Sequence, residues 1–207
     1  MTAPPLPDPD LPLFPLQTVL FPDGLLELKI FEARYLDLVS RCMRESRPFG
    51  VVCLKRGVEA GVSRDHVSLH EVGTLAELID VDAAQAGILI VRCRGTQRFT
   101  LGATHRQADG LWLGAASALA DDPPMPPGAG HANIVKSLAD AIATLAAQGT
   151  RPFLGPHRFD SAGWVANRWC EILPLPVEAR QRLMMLTDPL ARLDIVDSLM
   201  RVRHGTH

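Results

Sequence analysis

His66 and His70, with Glu71 beside the second, are the residues of this chain most nearly spaced for metal chemistry. On a helix that separation would put both imidazoles on one face, as a zinc site requires. Their context is a strand pattern, where positions 66 and 70 share a side but sit about 13 Å apart. The expectation is solvent-facing strand histidines and no metal. Acyl-transfer chemistry needs a nucleophile with a base in reach. No GxSxG elbow occurs, and Ser161 reads as the N-cap of a helix. Lys136 and Ser137, adjacent on a helix, point apart and form no dyad. Cys42, Cys53, Cys93 and Cys170 include no CxxC pair, and the first three lie among apolar residues. They read as reduced, structural thiols. No catalytic residue, cofactor or metal is expected.

The charged residues point the same way. Arg92, Arg94 and Arg98, with Arg106 further on, could form a basic stripe. Nucleic-acid binding would need that stripe together with exposed aromatics or a basic domain. Aromatics are 5% of the chain, the net charge is −2 and the sequence pI is about 6.4. The stripe therefore reads as the solvated face of a half-buried sheet. Glu32, Arg34 and Tyr35 read as scaffold: Glu32 favouring a helix N-terminus, Arg34 tying the helix to a neighbouring strand, Tyr35 packing.

These residues must be held by ordinary globular elements. With 207 residues, 47% of them hydrophobic and 21% charged, the chain can bury a sizeable core. No apolar run approaches a membrane span, and the first ten residues carry no basic or apolar signal segment, so a cytoplasmic protein is expected. Residues 1–10 read as a disordered or extended arm. Residues 11–120 read as six or seven strands with one early helix. Strands are expected over Leu13–Leu16, Leu25–Ile30, Pro48–Leu54, Val67–Val81, Ile88–Cys93, Gln97–Leu101 and Leu111–Leu119. Gly73 is expected at a bulge or bend and Gly95 at a turn. The helix follows Phe31, with Tyr35, Leu38, Val39, Cys42 and Met43 on its buried face. Residues 121–130, DDPPMPPGAG, read as a linker. Residues 131–207 read as about four helices, the last capped by Asp188 and buried through Leu190, Leu193, Val196, Leu199 and Met200.

The segments LPLFPL (11–16), VLFPDG (19–24) and LELKIFEARYLDLV (26–39) closely resemble the opening of the Lon protease N-terminal, substrate-binding domain family. Its pattern is a PLFPL strand, an lFPG turn and an IFE-x-RY entry into the first helix. Asp23 stands where the family more often has Gly. Later segments follow in the same order: Val72-Gly73-Thr74-Leu75-Ala76, Gly95-Thr96-Gln97-Arg98-Phe99, and Ile172-Leu173-Pro174-Leu175 through Gln181-Arg182-Leu183 to Arg192-Leu193. The resemblance implies an α+β fold: an N-terminal antiparallel, PUA-like β-barrel embedding one helix, then a C-terminal helical bundle.

It also implies a non-catalytic module that binds unfolded or exposed apolar protein segments, or a partner in proteolysis or quality control. Lon's ATPase and Ser-Lys peptidase follow this domain; no GxxxxGK[ST] loop occurs here, and neither ATP nor peptide hydrolysis is expected. The expected partners are protein or peptide substrates, with a protease or chaperone beside them and weak self-association, and no nucleic acid or membrane. RNA binding through a PUA-like sheet and an accessory role in a peptidase system are the alternatives. Phe153, Leu154, Trp112 and Trp164 are the candidate peptide contacts, Phe153 either exposed in its loop or plugging the barrel–helix junction.

Overall fold

The structure, a computed structural model, describes Leu6 and residues 8–55 and 67–204. The chain divides into two compact units, Met1–Ala120 and Asp121–His207. The first contains six strands, β1 (Asp8–Leu16), β2 (Leu25–Ile30), β3 (Phe49–Leu54), β4 (Leu69–Gln85), β5 (Ile88–Arg106) and β6 (Trp112–Ala118), with helix α1 (Ala33–Glu45) between β2 and β3. The sheet order is β2-β5-β4-β3-β1-β6, and β6 also pairs with β5. Hydrogen bonding therefore returns on itself through β5, β4, β3, β1 and β6.

The resemblance implies an antiparallel barrel, but β1 and β3 are parallel, Leu13–Leu16 against Gly50–Cys53. A parallel pair requires a crossover, and β2 with α1 supplies it. Strand β1 also starts at Asp8, inside the stretch that reads as an arm; Arg47 Nη2 donates to its carboxylate at 3.0 Å.

Strand β5 runs unbroken through Gly95, where patterning suggests a turn. The turn expected at Phe21–Gly24, where Pro22 and Gly24 punctuate the chain, does form, with the Gly24 amide donating to the Phe21 carbonyl at 2.9 Å, and it packs against Gly95. The Asp23 amide donates to the Gly95 carbonyl at 2.8 Å and the Gly95 amide to the Gly24 carbonyl at 2.9 Å. A Cβ at Gly95 would collide with the Phe21 carbonyl oxygen. Asp23 has φ +60°, a left-handed conformation that Asp tolerates better than most side chains. Gly73 is not a bend either. A Cβ there would lie 2.6 Å from both the Phe99 ring and the Val51 carbonyl oxygen, so its missing side chain admits Phe99 to the core.

Tyr35, Leu38, Val39 and Cys42 bury one face of α1, as its period predicts. Tyr35 stacks on Phe14 with ring centroids 4.0 Å apart. Met43, expected on the same face, is 56% exposed.

The second unit holds α2 (Ala132–Ala147), α3 (Ala162–Ile172), α4 (Val177–Met185) and α5 (Pro189–His204). Ser161 caps α3, accepting from the Trp164 amide, and Asp188 accepts from the Leu190 and Ala191 amides at the start of α5. In α5, Leu193 and Val196 are buried, Leu190 and Met200 are half-buried, and Leu199 faces outward. The proline-rich segment is pinned to the helices. Arg192, 1% exposed, donates to both Asp122 carboxylate oxygens at 2.6 and 3.0 Å and to Asn167 Oδ1 at 3.0 Å. The Met125 carbonyl accepts from the Ala162 amide at 2.8 Å.

The two packing features most open to test are the glycine contact and the buried thiols. Gly73→Ala should destabilise the protein by about 2 kcal/mol, because the added methyl overpacks against Phe99 and a backbone oxygen. Urea unfolding should show a lower midpoint at unchanged slope, and a loss below about 0.5 kcal/mol would contradict the close approach. Burial pushes the thiols of Cys42 to about 11 and of Cys93 and Cys170 to about 12. A raised folded-state value stabilises below the unfolded value near 8.5 and is lost as pH rises through the folded one. Stability should fall by about 1.4 kcal/mol per pH unit per thiol between about pH 9 and 11. Cys93→Val should flatten that slope by one thiol's share, and an unchanged slope would refute the assignment.

Candidate functional site

Strand β4 pairs with β3 only as far as Ala76, opposite Phe49; from Glu77 onward its described ladder partners are all on β5. On the β3 side the chain has turned away into α1. Ser46, at φ +51°, closes the helix in a left-handed cap, and Arg47 and Pro48 lead into the strand. A groove of about 310 Å³ lies where the β3 row would have continued, between this helix end and residues 77–81 of β4. Its lining includes Cys42, Met43, Leu78, Ile79 and Val81.

Ile79 owes its place to a bulge. Leu78 opposes Cys93 and Asp80 opposes Arg92, so Ile79 is the extra residue between them and is 47% exposed. A bulge re-aims a side chain out of the pleat in this way. Leu78 and Val81 pack on the core from the same segment. Of the lining charges, Arg47 pairs with Asp8 at 3.0 Å, while Glu77 stands opposite Arg94 and Asp80 opposite Arg92 in register, positions at which opposite charges attract. The Cys42 thiol is held protonated by burial, so it offers no nucleophile at neutral pH. What the groove offers is apolar contact beside an open strand edge.

The residues singled out from sequence do not assemble into one site. Phe153 and Trp164, in the second unit, are 8% and 3% exposed. They meet edge to face with centroids 6.4 Å apart, and His157 and Phe159 close on Trp164 at 5.7 and 5.5 Å. The cluster already holds a cation: the fully buried guanidinium of Arg168 lies 5.3 Å from the Phe153 ring centroid and 5.7 Å from that of Trp164. Leu154 is half-buried beside it. Trp112 belongs to the first unit, half-buried under Arg106, whose guanidinium carbon is 4.6 Å from the ring centroid.

Of the expected arginine stripe, Arg98 is buried and donates to the Ala120 carbonyl at 3.2 Å. Arg92 is flanked in register by Glu27 and Asp80. Arg34 ties α1 to the β5–β6 turn through the Gly110 carbonyl at 3.2 Å, not to a strand, and Glu32 occupies the N-cap position of α1, its carboxylate accepting from Arg34 and making no cap hydrogen bond. Lys136 pairs with Asp140 at 3.2 Å. His70 lies in β4 and His66 lies outside the described residues. Among the described residues no group of three or more metal-ligating side chains is placed to hold an ion, and no helix is long and apolar enough to cross a membrane.

Sequence patterning misses the groove residues for separate reasons. Met43 falls about 80° round the helix from Tyr35, at the margin of the buried arc. Ile79 sits at a bulge, which strict alternation cannot register.

The profile of the ATP-dependent protease La (LON) substrate-binding domain matches residues 10–202. The crystal structure of a Lon N-terminal domain protein from Xanthomonas campestris is 32% identical, with a TM-score of 0.73 over 91% of this chain and 97% of that one. The N-terminal domain of the Mycobacterium avium complex Lon protease shares the fold at 12% identity, with a TM-score of 0.57 over 90% and 95%. With the profile spanning nearly the whole length, this chain belongs to the Lon substrate-binding domain family.

Proposed function

We propose that this protein is a non-catalytic binding module that captures exposed apolar segments of unfolded proteins through the groove between α1 and β4. Family membership supports a protein substrate. The observation that carries the placement is the pair of large apolar side chains, Met43 and Ile79, held exposed on the two walls of one groove. Soluble proteins seldom keep such side chains adjacent and open without a partner to cover them. The groove is shallow and each of its charged residues has an opposite charge as neighbour, which suits weak contact with many sequences. Trp112 and Leu154, both half-buried, are secondary candidates for contact. We read the strand circuit of the first unit as the barrel of a PUA-like fold and the four helices as its bundle. A cytoplasmic role beside a protease or chaperone completes the reading.

Fluorescence anisotropy with a labelled, permanently unfolded model protein tests the site. Met43→Asp and Ile79→Asp should each weaken binding at least about tenfold, since each places a charge where an apolar side chain must dock. Both positions are exposed, so stability should change by no more than about 0.5 kcal/mol. Unchanged affinity in both variants would refute the placement.

A further inference from the structure

The groove specifies the conformation of what it binds as well as its polarity. Beyond Ala76, β4 keeps its β5 ladder on one side, through Glu77–Arg94, Leu78–Cys93, Asp80–Arg92 and Val81–Val91. The other side faces the groove, and no backbone hydrogen bond outside the ladders involves residues 77–81 among the described residues. A strand edge of this kind presents a row of amides and carbonyls ready to pair with another extended backbone. Helix α1 cannot fill that role, because a helix presents no extended, alternating row of amides and carbonyls to a strand edge. The Ser46 cap and Pro48 take the chain away from the edge, and Pro48 has no amide with which to pair.

We propose that the groove takes an uncharged, apolar peptide segment as an added strand on the edge of β4, from Glu77 to Val81. The inference rests on the peptide-binding reading above and deepens it. Charge matching argues for an uncharged occupant. Arg47 is held by Asp8 in an ion pair, and Glu77 and Asp80 each face an arginine directly across the β5 ladder, where opposite charges attract, so the walls carry no excess of one sign to favour an acidic or a basic segment. The apolar part of the match comes from Met43 and Ile79, with Leu78 and Val81 packed on the core behind them. Main-chain pairing would supply affinity with little sequence preference, while alternate side chains of the segment enter the groove.

The test uses the full chain and a fluorescein-labelled peptide of about eight residues alternating leucine and threonine, a typical strand length. Two analogues carry N-methyl groups on alternate amides, one on the odd set and one on the even set. Only one set can point at β4, so one analogue should bind at least about tenfold more weakly than the parent while the other stays within about twofold. Replacing threonine with lysine or glutamate should each weaken binding. Equal, undiminished binding by both methylated analogues would overturn strand addition and leave the peptide-binding reading standing. No binding by the parent peptide, together with none by an unfolded protein, would overturn both.

Discussion

The parallel pairing of β1 with β3 is the constraint on which the first unit depends. Two parallel neighbours cannot be joined by a tight turn, so the chain must leave the sheet and come back from the other end. It does so through β2, which adds to β5, and α1, which packs Tyr35, Leu38, Val39 and Cys42 on the core. The helix therefore ends where β3 begins, and Ser46 and Pro48 mark the re-entry. Because β3 starts only at Phe49 while β4 continues to Gln85, part of the β4 edge is left uncovered. The candidate groove is thus a consequence of topology. Backbone contacts too close for side chains hold the frame around it, at Gly95 against the Phe21–Gly24 turn and at Gly73 under Phe99.

The second unit is organised around two buried arginines. Arg192 gathers Asp122, Asn167 and the Leu183 carbonyl, the last at 2.9 Å, which seats the proline-rich segment on the helices. Arg168 is enclosed by Phe153 and Trp164 and bonds Glu171 at 3.1 Å. A buried guanidinium is tolerable only when its charge is compensated, and Asp122 and Glu171 supply that compensation. Aromatic side chains that would suit a peptide in the abstract are thereby committed to packing. That is the physical reason for placing the binding surface at Met43 and Ile79.

Much of the architecture is legible in residue order. Helix periods, the Ser161 and Asp188 caps and most strands lie where patterning puts them. What patterning misses depends on neighbours distant in sequence. Gly95 looks like turn punctuation until Phe21 is seen against it, and Gly73 looks like a bend until Phe99 fills its place. Asp122 lies in what reads as a linker, and its partner Arg192 is seventy residues away. The groove is hidden for a related cause. Met43 lies at the margin of a helical stripe and Ile79 at a bulge, two places where a regular period does not decide between buried and exposed. Local rules fail most often at functional positions, and here both failures line the same groove.

Capture of a peptide at the β4 edge should be visible by amide hydrogen exchange of the full chain, with and without a saturating unfolded protein. Slowed exchange should concentrate in residues 77–81 of β4 and at the C-terminal end of α1, because an added strand ties down the open edge. Protection confined to the Phe153–Trp164 cluster, with β4 unchanged, would contradict binding at this groove.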